Sequence, residues 1–94
     1  MDINVAYSQT ANSQDAFKAA CAEITPEYVA KFNVQADIDV DDQQKKIVAT
    51  GKGFELKISF EETSAKASLN LSFFLKPLKN KILQKVKRKL EKTV

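Results

Sequence analysis

The stretch AKASLNLSFFLKPLKNKILQKVKRKLEKTV, residues 65–94, decides the fold, because its apolar period changes partway along from two to the 3.6 of a helix. Ala65, Ala67, Leu69, Leu71 and Phe73 alternate with Lys66, Ser68, Asn70 and Ser72, the pattern of a strand with one apolar and one wet face. Pro77 then suits the first helical position, where its missing N–H costs nothing. Leu78, Ile82, Leu83, Val86 and Leu90, with Thr93 or Val94, come next at helical spacing. The spacing predicts an amphipathic helix over about 77–92 that folds back on the sheet containing the strand.

Working back toward the N-terminus, Phe54, Leu56, Ile58 and Phe60 alternate in the same way, and Glu61 to Ser64 turn the chain. Inward positions are even there, but odd at Ile47 and Ala49, so Gly51-Lys52-Gly53 must hold a turn or bulge. Val34, Ala36, Ile38 and Val40 alternate with Gln35, Asp37, Asp39 and Asp41, which predicts an antiparallel strand with one wet face. At the start of the chain, Ile3, Val5 and Tyr7 predict a short edge strand. Asn12 or Ser13 can cap a helix, Asp15 suits its first turn, and Phe17, Ala20, Cys21, Ile24, Tyr28 and Phe32 share one helical face. Because that apolar phase continues past Pro26, one kinked helix from about 13 to 32 is preferred; the alternative is a second short helix capped by Thr25-Pro26.

The predicted order is βαββββα. Two amphipathic helices and a sheet with one polar face call for an α+β two-layer sandwich, an antiparallel sheet of about five strands with both helices on one side. Ninety-four residues suffice for a single domain, 1–94, with one modest core. No apolar run approaches the ~20 residues of a transmembrane segment. Met1-Asp2-Ile3-Asn4 lacks a secretory start, so a cytoplasmic location is expected. Cys21 is alone and lies on an apolar face, where a buried, inert thiol is the usual role.

The formal net charge of +3 hides a division. Residues 1–75 hold seven basic and eleven acidic side chains, giving −4, whereas 76–94 hold eight and one, giving +7. Lys81, Lys85, Arg88 and Lys92 form a row along one flank of the last helix. Each neighbouring pair in it is a like-charge contact costing about 0.2–0.5 kcal/mol in an isolated helix. Lys76, Lys79 and Lys81 crowd the helix's N-terminal end, where the macrodipole favours anions. An external anionic surface, or the protein's own acidic face, would offset these costs. A solvated lysine face is the plainer explanation.

Catalytic chemistry is poorly supplied. The chain has no His, Cys21 has no activating neighbour, and Ser and Thr have no identifiable base. Gly51-Lys52-Gly53 lacks the spacing of a phosphate loop. Asp37, Asp39, Asp41 and Asp42 imitate a calcium loop, but the glycine and glutamate that such a loop needs at its sixth and twelfth positions are Asp42 and Val48 here. A wet strand face explains the aspartates without a metal. No enzyme activity, cofactor or metal site is expected.

The segments GKGF at 51–54 and LNLSFFLKPLK at 69–79, with Ile82 and Leu90, resemble the polyhydroxyalkanoic acid system protein family. The N-terminal strand and a helix ending at Tyr28 to Phe32 are similar in placement. That resemblance implies a non-enzymatic granule-associated or accessory role, with no catalytic residues to carry over. The match is residue by residue at Lys76-Pro77-Leu78-Lys79. The last helix departs from the family, with Lys81, Lys85, Lys87 and Lys89 in place of a more mixed or acidic pattern, and this favours an anionic partner.

The function expected is therefore that of a small binding or accessory protein that presents Lys76, Lys79, Lys81, Lys85, Arg88 and Lys92 to an anionic surface or protein partner, a polyester granule being one such surface. Sequence-independent nucleic-acid binding by the same helix is the first alternative. It is weakened by a single Arg in that helix, no helix-turn-helix and no aromatic platform on the sheet. A homo-oligomer pairing basic row with acidic strand is the second.

Overall fold

The computed structural model describes residues 2–94. Its strands are β1 (Ile3–Ala6), β2 (Ala36–Asp41), β3 (Lys46–Gly51), β4 (Phe54–Phe60) and β5 (Ser64–Leu71). They form one antiparallel sheet in the order β1-β5-β4-β3-β2. Helices α1 (Ser13–Glu23), α2 (Pro26–Ala30) and α3 (Lys79–Thr93) cover one face, giving the α+β sandwich that the alternating strands demand. The parity change falls at a two-residue hairpin, since Gly51 pairs with Phe54 across Lys52-Gly53. Every inward residue on β4, namely Phe54, Leu56, Ile58 and Phe60, is buried, and Ala65, Ala67 and Leu69 continue that face on β5.

Small and large side chains alternate across the two layers. Ala65 and Ala67 on the sheet leave room for Phe17, which meets Phe60 edge to face at 5.7 Å. Phe32 lies between Tyr28 at 5.2 Å and Phe54 at 6.5 Å, so the end of α2 is fixed by aromatic contacts. Val94 closes the core beneath α3, and its carbonyl oxygen accepts the backbone N–H groups of Ser8, Gln9 and Thr10 at 2.9–3.0 Å.

Three expectations are corrected. The segment 13–32 is two helices, making three in all, because the residue before a proline is pushed out of helical conformation. Thr25 is extended at φ −112, ψ 166, and its hydroxyl accepts the Tyr28 N–H at 3.2 Å as a new N-cap. The apolar phase survives because both helices pack on the same sheet. The strand alternation does not reach Phe73. β5 ends at Leu71 because its partner β4 begins at Phe54, and the last contact is the Ser72 N–H donated to the Gly53 carbonyl at 2.8 Å. Finally, Pro77 sits in a tight 3₁₀ turn, Lys76–Leu78, and α3 starts at Lys79. Leu78 is accordingly exposed, and the packing stripe is Ile82, Val86, Leu90 and Val94.

Candidate functional site

With Ile82, Val86 and Leu90 fixed against the sheet, helical geometry turns Lys81, Lys85, Arg88 and Lys92 toward one side. The neighbour on that side is the C-terminal end of α2. There the chain leaves the helix through Asn33, whose φ of +64 is a left-handed conformation that asparagine tolerates. That turn sends the backbone into β2 and leaves Lys31 standing opposite α3.

The gap between the two elements is a groove of two adjoining parts. Its larger part holds about 230 Å³, with Tyr28 and Phe32 as floor and Lys31, Lys85, Arg88 and Lys92 as walls. Toward the start of α3 it narrows to a hollow of about 90 Å³ that shares Lys31, Phe32 and Lys85 and adds Lys81 and Leu78. Asn33 also borders a separate, wider hollow of about 600 Å³, bounded by Lys52, Gly53, Ser72 and Phe74. Among the described residues, no Asp or Glu lines any of these hollows.

Four lysines outside the row are held in ion pairs. Lys57 pairs with Glu55, Lys66 with Glu61, Lys79 with Asp2 and Lys89 with Glu23, at 3.2–3.8 Å. Among the described residues, Lys31, Lys81, Lys85, Arg88 and Lys92 have no carboxylate within pairing distance. Lys89 is pinned on the groove's far wall, 3.2 Å from Glu23 and 5.3 Å from the centre of the Tyr28 ring, where a cation on an aromatic face is favourable. Burial pushes the Tyr28 phenol up to about 12, so it stays a neutral donor, and it reaches the Lys85 carbonyl at 3.4 Å.

The structure brings together four of the six residues singled out in the sequence. Lys76 and Lys79 lie elsewhere, beside Leu69, Asn70 and Leu71 of β5. Lys79 has a structural partner in Asp2, whose other oxygen accepts the Leu69 N–H at 2.8 Å. That backbone N–H holds the Asp2 carboxyl below the ordinary aspartate range, burial opposes it, and Lys79 adds to the lowering. The sequence reading missed Lys31 and the floor. Tyr28, Lys31 and Phe32 stand at i, i+3 and i+4, which is a signal that they share one helix face, but nothing local says what that face meets.

Elsewhere, Asp37, Asp39 and Asp41 lie on the exposed side of β2, in register with Thr50, Val48 and Lys46. Cys21 is half-buried, and burial above all, with Asp42 second, raises its thiol pKa away from the reactive thiolate. No helix among the described residues is long and apolar enough to cross a membrane. No family model, curated protein or solved structure matches this chain.

Proposed function

We propose that this protein is a small, non-catalytic binding or accessory protein that docks on an anionic surface through the groove between α2 and α3, with Lys31, Lys81, Lys85, Arg88 and Lys92 as its contacts. The observation that carries this is the gathering of those five cations around one groove that, among the described residues, has no carboxylate in its walls. Among the described residues Lys18, Lys45, Lys46, Lys52, Lys76 and Lys87 are also without an ion pair, so it is the gathering of five like charges on one groove, at about 0.2–0.5 kcal/mol for each neighbouring contact along the helix, that points to an external anion. From Lys81 to Lys92 the row extends about 16 Å along the helix, which suits an extended surface better than one small anion. The resemblance to polyhydroxyalkanoic acid system proteins makes a polyester storage granule one candidate surface.

Nucleic acid is the less favoured partner. The aromatic floor is buried and Lys89 occupies a face of Tyr28, so neither Tyr28 nor Phe32 is free to stack on a base beside the row of cations. The test compares wild type with a variant carrying Lys81, Lys85, Arg88 and Lys92 all changed to Gln. Each is assayed against phosphatidylglycerol vesicles, polyester particles and duplex DNA at low and moderate salt. Wild-type retention on vesicles or particles that is lost in the variant is the expected result. Binding to duplex DNA alone, with a salt slope near −0.9 per phosphate contacted, would transfer the groove to the nucleic-acid alternative. Retention unchanged by the four substitutions would remove the proposal, and a variant that alters only sedimentation would point to self-association.

A further inference from the structure

Four of the six phenylalanines, Phe17, Phe32, Phe54 and Phe60, are buried, whereas Phe73 and Phe74 are 83% and 87% exposed. The cause is the turn that ends β5. Ser72 gives its last ladder bond to Gly53, and its own carbonyl accepts the N–H groups of both Leu75 and Lys76 at 3.0 Å. The chain closes tightly on itself, Leu75 folds inward against the core, and the two rings are thrown outward. They stand 6.3 Å apart, edge to face, with exposed Leu78 beyond them. Two adjacent rings in water are a standing cost of solvation that the fold gains nothing from.

The surroundings of this tip are cationic. Lys76 comes two residues after the rings in sequence, and Phe74 bounds the wide hollow together with Lys52 and with Asn33, which also lines the groove between α2 and α3. A second copy of the chain is a poor occupant. The two rings of each copy together offer roughly 600–1,000 Å², at most the ~1,000 Å² of a stable interface, and a tip-to-tip contact would bring like charges together. A leaflet of anionic lipid meets both features, because rings enter the acyl boundary while lysines remain among the headgroups. Weak apolar insertion also needs a second, electrostatic signal for stable attachment, and the groove supplies one.

We infer that Phe73 and Phe74 form a wedge that enters an anionic lipid leaflet while the groove cations contact its headgroups. This rests on the proposed docking function and names its partner. The rings would set depth and the cations would set lipid preference, so the two sets of substitutions have separable effects. A variant with Phe73→Ser and Phe74→Ser should partition roughly tenfold or more weakly into phosphatidylglycerol vesicles. Its melting temperature should be unchanged, since neither ring packs on the core. A Phe74→Trp variant provides a second readout, because the chain has no tryptophan. Its emission should shift to the blue with phosphatidylglycerol vesicles, be quenched by brominated lipid, and stay unshifted with pure phosphatidylcholine. Vesicle binding unaffected by the serine substitutions, or emission without a blue shift, would overturn the wedge while leaving electrostatic docking intact. Wild-type capture by polyester particles but not by vesicles would overturn the lipid assignment. Loss of a dimer on serine substitution would give the tip to a second copy. Vesicle binding unaffected by the lysine and arginine substitutions would instead remove the docking function itself.

Discussion

Two glycines at the hairpin between β3 and β4 show how single positions shape the wide hollow. Gly53 has φ +71, a conformation costing an L-residue about 1–2 kcal/mol, and an added Cβ would lie 2.5 Å from the Ser72 hydroxyl oxygen and 2.9 Å from its Cβ. Gly51 has no such torsion, but a Cβ there would lie 2.3 Å from the Gln35 carbonyl oxygen, which is backbone and cannot rotate away. Gly53→Ala is therefore expected to lower stability in two separable ways. In a Ser72→Gly background the contact disappears while the torsional cost of about 1–2 kcal/mol remains. A double-mutant cycle in urea measures the difference, and additive losses would show that the turn already shifts to admit the methyl group. No side-chain deletion should rescue Gly51→Ala.

At the level of elements, α2 has only five residues and would not persist by propensity alone, so its cap and its aromatic contacts decide whether Lys31 faces α3. Thr25→Ala removes the hydroxyl that accepts the Tyr28 N–H, at an expected cost of about 1 kcal/mol, whereas Thr25→Ser should retain most of the stability. Amide exchange should quicken first at residues 28–32, and binding to anionic vesicles should weaken with it. Uniform quickening across the sheet would instead mean that α2 unfolds only with the whole domain. The same element marks where the sequence stopped being legible. Alternation at Phe54–Phe60 and Ala65–Leu71 identified the strands and their inward faces, since period two is a local property. The split at Thr25 was concealed because two helices on one sheet preserve the apolar phase of one. Phe73 continued the alternation on paper, but a strand needs a partner, and β4 begins too late to give it one. The groove was half legible. The row on α3 is dictated by helical spacing, but Lys31 joins it only through a tertiary contact, and Lys79, expected among the binding residues, is instead paired with Asp2.

Across the whole molecule, the division between a −4 body and a +7 final segment means that the fold tolerates its basic row instead of being built by it. Ile82, Val86 and Leu90 anchor α3 by burial, while Lys85 stands at i−4, i+3 and i+4 from Lys81, Arg88 and Lys89. Reversing that one charge removes three repulsions and adds three attractions of about 0.2–0.5 kcal/mol each, so Lys85→Glu should stabilise the protein by at least about 1 kcal/mol at low salt. For a chain of this size each such kcal/mol corresponds to a melting temperature higher by roughly 4–8 °C. Added salt screens repulsion, so wild type should gain thermal stability between low and moderate ionic strength, and the variant should gain less or lose some. Vesicle binding should move the opposite way, weakening in the more stable protein. Such opposition is expected of a surface retained for a partner at the expense of the free fold. If Lys85→Glu instead lowers the melting temperature, then the lysine row contributes to the fold through contacts with its acidic body, and the physical basis for assigning the groove to an external anion is lost.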